Sequence, residues 1–179
     1  MRRFWTMLAH YHGQTWNATE LGRALGLSDK TVKSYLDDLT QTYMVRQLQP
    51  WFENVGKRQV KSPKVYLRDS GLLHHLLSLK NYDAISGHPK VGASWEGFAL
   101  EQVLRLTRAR EAYFWATQSG AELDLLLFEN GQRFGYEFKF SEQPTVTRSM
   151  RVAIQDLSLA KLRVICPGSV TAQLDEHIE

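Results

Sequence analysis

Apolar and polar positions alternate most regularly between residues 122 and 140, on either side of the dipeptide Asn130-Gly131. Both central residues of a type I′ turn need φ > 0, so Asn-Gly strongly favours a two-residue hairpin turn. The apolar residues at period-2 spacing are Leu123, Leu125 and Leu127 before the turn and Phe134, Tyr136 and Phe138 after it. The pattern therefore predicts an antiparallel hairpin with one wholly apolar face on a core and the charges on the opposite face.

Pairing across this turn places Asp124 opposite Glu137 and Glu122 opposite Lys139. Asp124 and Glu137 would form a non-hydrogen-bonded pair, whose side chains approach most closely. Two carboxylates about 5 Å apart repel each other, and a hard divalent cation would remove that penalty by binding their oxygens. The hairpin thus indicates a metal site. A solvated, charged hairpin face remains the alternative, and a bulge would separate the two acids.

A third acid, Glu96, lies in a stretch from Val91 to Arg108 that predicts an amphipathic helix. Its apolar stripe consists of Trp95, Ala99, Val103 and Leu106. Glu96 borders this stripe, and a carboxylate near an apolar helix face needs a partner. The residue has either a structural role or a place beside the acidic pair.

Two capped helices are predicted near the N-terminus. Asn17 and Glu20 have the spacing of a capping box that opens a helix over residues 19–25, which Gly26 ends. Ser28 caps a second helix running to about Thr40. Helix, glycine-containing turn and helix are typical of a helix-turn-helix.

The second of these helices would present four polar side chains suited to the major groove, namely Lys30, Thr31, Lys33 and Ser34. Asp37 and Asp38 in the same helix would repel phosphate. Since many helix-turn-helix units bind only protein, DNA contact and protein contact both stay open.

Predicted strands at residues 44–49 and 64–67 bracket a basic loop, and no acid lies between residues 55 and 68. The cations between residues 55 and 68 are Lys57, Arg58, Lys61, Lys64 and Arg68. Two strands and a basic loop behind a helix-turn-helix predict a winged helix with the loop as the wing. Its charge suits a polyanion, although a loop kept soluble by charge has the same composition.

Glu96 on a helix, Asp124 on a strand and the triplet from Glu137 to Lys139 resemble the PD-(D/E)XK nuclease superfamily. The resemblance implies that Asp124 and Glu137 ligate Mg²⁺ or Mn²⁺, that Glu96 is an accessory acid, and that Lys139 orients or activates the attacking water. All four would then be catalytic residues.

A longer series of motifs resembles the uncharacterised domain family found as the C-terminal half of prokaryotic AAA+-type ATPases. The motifs are LGLS at 25–28, TV at 31–32, Pro50, KR at 57–58, KSPKVY at 61–66, DSGL at 69–72, GASWE at 92–96, SGAELD at 119–124 and EFK at 137–139. The resemblance implies a winged helix followed by a PD-(D/E)XK-like domain, a partner ATPase domain and a connection to nucleic acid.

The fold prediction is α/β (α+β). We expect a winged helix-turn-helix domain over residues 1–70 and a PD-(D/E)XK restriction-endonuclease-like domain over residues 71–179. The second domain would contain strands near 113–117, 122–129 and 132–140, a helix at 146–159, and a strand at 162–166 that a crossover makes parallel.

Charge divides unevenly at this boundary. Residues 1–70 carry 11 Lys and Arg against 6 Asp and Glu, and residues 71–179 carry 11 against 13, within a net charge of +3. This polarity suits a basic half that binds DNA and an acidic half that binds a cation.

The sequence lacks features that ATP hydrolysis, disulfide bonding and a membrane span would require. Gly56-Lys57 lacks both the upstream glycine and the following Ser or Thr of a phosphate-binding loop, so the chain, as a truncated form or natural remnant, should not hydrolyse ATP. Cys166 is the single cysteine, which predicts a reducing, cytoplasmic location. No stretch is apolar enough to span a membrane.

Three functions follow as hypotheses. The first is a metal-dependent nuclease, and the second is a DNA-binding or recognition module of an ATPase that keeps the nuclease-like fold as a scaffold. The third is a non-catalytic docking module for the ATPase domain or another partner. We rank highest a combination of the first two, an accessory region of an AAA+-type ATPase that binds nucleic acid and carries a possible Mg²⁺-dependent nuclease site.

Overall fold

The computed structural model describes residues 2–53, 56, 58–169 and 171–179. The chain divides into two compact units, of which the first comprises the residues up to Leu48 together with Ser62–Phe98. The second comprises Gln49–Lys61 and Ala99–Glu179. The units interleave along the sequence, whereas the predicted division at residues 70 and 71 was a single cut. The difference arises because one strand and one long helix each run from one unit into the other.

The first unit is built from helices around a small antiparallel sheet. Its elements are α1 (Arg2–Tyr11), β1 (Gln14–Thr15), α2 (Ala18–Leu25), α3 (Asp29–Gln41), the start of β2 (Val45–Pro50), β3 (Lys64–Leu67), α4 (Ser70–Leu76), α5 (Tyr82–Ser86) and the start of α6 (Val91–Thr107). Strand β3 pairs with β1 on one side and β2 on the other. The buried side chains under this sheet include Phe4, Leu8, Leu21, Val32 and Leu36.

Local capping signals explain the two predicted helices of this unit. The Asn17 side chain accepts a hydrogen bond from the Glu20 N–H, and Gly26 ends α2 with φ of 69°. The Ser28 hydroxyl accepts the Thr31 N–H at the start of α3. Each cap satisfies a donor that the first turn of a helix leaves unpaired. The predicted positions of both helices are confirmed.

The second unit is a mixed sheet that carries one helix between its last two strands. Its elements are the end of β2, the remainder of α6, β4 (Ala112–Ala116), β5 (Glu122–Glu129), β6 (Gln132–Phe138), α7 (Arg148–Leu157) and β7 (Lys161–Ile165). The last two residues of β2 pair in parallel with β4, and β4, β5 and β6 are antiparallel. Strand β7 is parallel to β6, as the crossover helix predicted.

The hairpin of β5 and β6 has the predicted turn and register. Asn130 and Gly131 have φ of 50° and 76°, and the ladder runs from the pair beside this turn to Leu125 opposite Tyr136. On its other side β5 carries one extra residue, because the three residues from Tyr113 to Trp115 of β4 lie opposite the four from Leu126 to Leu123 of β5. Such a bulge re-aims side chains and locally ends pairing.

The surroundings of β5 differ from the prediction. One apolar face and one charged, solvated face were expected, but the residues from Leu123 to Leu127 are all buried, including Asp124. Leu123 and Leu126 share one core with side chains of α7. The strand lies between β4 and β6, which pair with its two edges, and α7 covers the face that carries Leu123 and Leu126.

The loop predicted as a wing belongs to the second unit, and we call its described residues, 51–53, 56 and 58–61, the strap. The Trp51 N–H donates to the Phe114 carbonyl, and the Val60 N–H donates to the Ala116 carbonyl. Both acceptors are in β4, so the strap follows that strand.

Within the part of the chain that the structure describes, no helix is long and apolar enough to cross a membrane.

Candidate functional site

Asp124 and Glu137 are buried carboxylates, with 4% and 3% of their surface exposed. Asp124 lies in the bulged part of β5, where its Oδ2 accepts the Phe138 N–H at 3.0 Å. This side-chain bond replaces a rung of the backbone ladder beyond Leu125 and ties the carboxylate to β6. A bulge in the hairpin was the alternative that would have separated the acids, but the observed bulge lies between β4 and β5, and Asp124 stays attached to the strand that carries Glu137.

The two oxygens of Glu137 have different surroundings. Oε2 lies 2.8 Å from the Lys139 Nζ. Oε1 is buried and has no hydrogen-bond partner among the residues that the structure describes. An unpaired buried acceptor costs about 1–3 kcal/mol, and more when it carries charge. Glu137 Oε1 can therefore still accept a hydrogen bond or bind a cation.

The pKa of Glu137 is raised to about 8, chiefly by burial and next by the Asp124 carboxylate, with a smaller contribution from Glu122, while Lys139 acts to lower it. Burial in a low dielectric disfavours the charged form of a carboxyl group. A divalent cation beside Glu137 would favour ionisation, since an opposite charge acts against both causes of the raised pKa.

The residues present fit a cation that takes few protein ligands. Among residues 2–53, 56, 58–169 and 171–179, no group of three or more His, Cys, Asp or Glu side chains could hold a metal ion. Mg²⁺ usually keeps several waters and binds through one or two carboxylates together with substrate phosphates. The pair of Asp124 and Glu137 matches that ligand set.

Glu122 is a neighbour whose importance the sequence did not indicate beyond its pairing with Lys139. Its N–H donates to the Ser149 hydroxyl and its carbonyl accepts from the same hydroxyl, both at 2.7 Å. The exposed Glu122 carboxylate contributes to the raised pKa of Glu137. Its position two residues before Asp124 on the same strand was the available signal.

Glu96 is held within the first unit. The Tyr66 hydroxyl donates to its Oε1 at 2.5 Å, and the Lys64 Nζ lies 3.4 Å from the same oxygen. Lys64 is only 6% exposed. Lys64 is therefore buried and paired with the half-buried carboxylate of Glu96, and its contact with phosphate stays a prediction.

The other predicted nucleic-acid contacts lie on two elements. Lys30, Lys33 and Ser34 are exposed on α3, and Thr31 is half-buried with its hydroxyl 2.9 Å from that of Ser28. On the strap, Arg58 and Lys61 are exposed. Lys57 lies outside the described residues.

Two family models match the chain. Residues 1–83 match a model described as "Domain of unknown function (DUF8612)", and residues 91–179 match "Domain of unknown function (DUF4143)". The interval between the two matches lies between the middle of α5 and the start of α6.

Two curated relatives match almost the whole chain. Uncharacterized proteins of Mycobacterium tuberculosis (strain ATCC 25618 / H37Rv) and Mycobacterium bovis (strain ATCC BAA-935 / AF2122/97) are each 52% identical over 178 residues. The alignment covers 99% of this chain and 40% of each relative. The chain thus spans about two fifths of the length of the curated relatives it matches. No solved structure matches it.

Proposed function

We propose that this chain is a nucleic-acid-binding C-terminal region of an AAA+-type ATPase, with a divalent-metal phosphodiesterase site at Asp124, Glu137 and Lys139. In this proposal the first unit is a winged helix-turn-helix and the second is a PD-(D/E)XK nuclease-like domain.

The observation that carries the enzymatic part is the Glu137 carboxyl group, buried with a partnerless Oε1 under the electrostatic influence of Asp124. Burying two acids in one place costs free energy unless something compensates their charge. A cation-binding role gives a reason for the arrangement that packing alone does not supply.

Each residue has a role that follows from its contacts. Asp124 and Glu137 would hold Mg²⁺ or Mn²⁺, which when bound supplies Lewis-acid stabilisation of phosphodiester charge and an acidified water. The Phe138 N–H fixes one oxygen of Asp124. Lys139, whose side chain is 39% exposed and tethered to Glu137, is placed to donate a hydrogen bond to a water or to a phosphate oxygen. Glu96 as an accessory acid stays a prediction from the resemblance.

The order of elements supports the two fold assignments. Helix, short strand, two helices and two strands, with the first strand paired to the last, suit a winged helix. An antiparallel hairpin followed by a helix and a parallel strand suits the core of a PD-(D/E)XK domain.

The alternative is a non-catalytic docking module for the ATPase domain or another partner. What favours it is that no third His, Cys, Asp or Glu joins the acidic pair in a metal-binding group within the described residues. Under this alternative the acids would be a structural feature of the second unit and would bind no cation.

Cleavage of supercoiled plasmid DNA tests the enzymatic proposal. We expect nicking in Mg²⁺ or Mn²⁺ by the wild type, none in EDTA, and a loss of at least 100-fold in Asp124→Asn. The asparagine keeps an acceptor for the Phe138 N–H while removing the charge. Lys139→Ala should lose activity but keep Mn²⁺ binding. Equal nicking by wild type and Asp124→Asn would contradict the proposal.

A further inference from the structure

We propose that the strap is a nucleic-acid clamp of the second unit, in which Gln59 positions Arg58 and Lys61 to bind the phosphodiester backbone. This inference rests on the proposed function and deepens it, because it names residues that would hold the substrate backbone beside the acidic site. Neither cation would then act as part of a wing that projects freely.

Backbone hydrogen bonds dock both arms of the strap on β4. In the first arm the Trp51 N–H donates to the Phe114 carbonyl at 2.6 Å. In the second arm the Val60 N–H donates to the Ala116 carbonyl at 3.0 Å, and the Gln118 N–H donates to the Arg58 carbonyl at 2.8 Å. These bonds give the backbone around Arg58 the same kind of support as a sheet strand.

Gln59 connects the two arms and the sheet through one amide group. Its Oε1 accepts from the Glu53 N–H at 3.0 Å and from the Trp115 Nε1–H at 3.1 Å. Its Nε2 donates to the Glu53 carbonyl at 2.6 Å. Three bonds from one half-buried side chain hold the strap closed. Gln59 is therefore a positioning residue.

The charge of the strap is also organised. Its acid, Glu53, is paired with Arg133, whose guanidinium lies 2.6 Å from Oε2 and stacks over the Trp51 ring at 5.7 Å. The Trp51 Nε1–H donates to the same carboxylate at 3.1 Å. Because Glu53 is already neutralised, Arg58 and Lys61 present positive charge to solvent without a competing carboxylate on the strap.

The position along the sheet relates these cations to the acidic site. Arg58 bonds to the turn at residues 117–121, which leads directly into Glu122. The strap and β5 lie on opposite edges of β4, so their backbones are about 10 Å apart at the usual strand spacing. That distance corresponds to roughly three base-pair steps along the axis of a duplex. A backbone held by Arg58 and Lys61 would thus reach the region of Asp124.

The salt dependence of DNA binding tests the clamp. Fluorescence anisotropy with a labelled 20-base-pair duplex is measured in EDTA for wild type, Arg58→Gln/Lys61→Gln, and the control Arg110→Gln. Arg110 is exposed and precedes β4, at the opposite end of that strand. We expect the double variant to bind roughly ten- to a hundred-fold more weakly at 0.1 M salt and to lose about 2 from the slope of log K against log salt. The control should lose less than 1.

Gln59→Ala tests the positioning role, since it keeps every cation. If Gln59 only stabilised the fold, a smaller fraction of the variant molecules would bind DNA, but the slope of log K against log salt would be unchanged. We expect a lower slope, because the slope counts the phosphates that the protein contacts. Thermal unfolding and circular dichroism check that the variant is folded.

Two results would overturn the clamp. One is a salt slope that is the same in wild type, the double variant and Gln59→Ala. The other is no wild-type binding to the duplex or its single strand at 20 mM salt. Both are independent of the metal site, because EDTA removes the cation and Asp124→Asn should still bind DNA. If no metal ion binds but the strap variants still lower the salt slope of DNA binding, the nuclease proposal is rejected and the clamp proposal stands.

Discussion

At the scale of single residues, the raised pKa of Glu137 predicts how the stability of the protein depends on pH. Its pKa of about 8 lies above the ordinary value of 4.5, so protonation favours the folded state. The contribution of protonated Glu137 to the free energy of unfolding is fully present below pH 4.5 and is lost as pH rises through 8. Glu137→Gln, which is neutral at every pH, should therefore be more stable than wild type at pH 8.5 by on the order of a few kcal/mol.

Urea unfolding of the metal-free protein at pH 5 and pH 8.5 measures this difference. The advantage of Glu137→Gln should shrink towards pH 5. Glu142→Gln, at an exposed position that follows β6, serves as the control and should match the wild type. A Glu137→Gln variant less stable than wild type at pH 8.5 would contradict the assignment.

His12 predicts the opposite pH dependence in the first unit. Its Nδ1 accepts the Leu67 N–H at 3.0 Å, so the proton is on Nε2, which lies 3.0 Å from the Ala93 carbonyl. Burial lowers the pKa of His12 to about 4, below its ordinary value of 6.5. The neutral ring contributes about 3 kcal/mol above pH 6.5, and this is lost as pH falls towards 4.

Unfolding midpoints at pH 7.5 and pH 4.5 test this prediction. His12→Gln should lose stability at pH 7.5 and lose less than wild type on acidification, since glutamine does not titrate. His10→Gln replaces an exposed ring and should leave the acid sensitivity unchanged. An identical acid response of the His12 variant and wild type would count against this role.

At the scale of elements, helix α6 approaches the His12 ring through a glycine. A Cβ added at Gly97 would lie 2.4 Å from His12 Nε2, whereas one at Gly92 meets nothing within 4 Å. Because both ring nitrogens of His12 are bonded, the ring has little freedom to move. Gly97→Ala should destabilise the protein by about 1–3 kcal/mol.

Gly92→Ala is the matched control in the same helix. It should be neutral or stabilising by up to about 1 kcal/mol, because alanine has the higher helix propensity. Thermal unfolding of the two variants measures the contrast. Equal effects would show that α6 does not pack on His12 as described.

Elements governed by neighbouring residues were predictable from the sequence. The Asn17 and Ser28 caps and the Asn130-Gly131 turn each depend on a few adjacent residues, and the structure has all of them where the sequence indicated. The parallel placement of β7 followed from a general rule of crossovers.

Features that depend on distant pairing were not predictable. The extra residue in β5 appears only when β4 is placed beside it, and it alters which faces are buried. The strap carries a loop-like sequence, yet its hydrogen bonds go to β4, more than fifty residues away. Lys64 had the charge of a phosphate contact, but its partner Glu96 comes from a helix 32 residues along the chain.

At the scale of the whole molecule, the strap belongs to the second unit, and this changes how the charges divide between the two units. Counted by unit, the first carries 10 Lys and Arg against 7 Asp and Glu, and the second carries 12 against 12. The first unit therefore has a net charge of +3 and the second a net charge of 0. This replaces the predicted contrast between a basic N-terminal half and an acidic C-terminal half. The unit with the acidic site has its own cations, which suits a site that must bind a polyanion and a metal ion together.

Calorimetric titration of Mn²⁺ shows whether Asp124 and Glu137 hold a divalent cation. Wild type, Asp124→Asn and Glu129→Gln are titrated with a short phosphorothioate duplex present, since substrate phosphates complete the ligand set of such a cation. We predict saturable Mn²⁺ binding in wild type and in Glu129→Gln, the control at the other end of β5, and its loss in Asp124→Asn. No Mn²⁺ binding in wild type, or equal binding in all three proteins, would contradict this prediction.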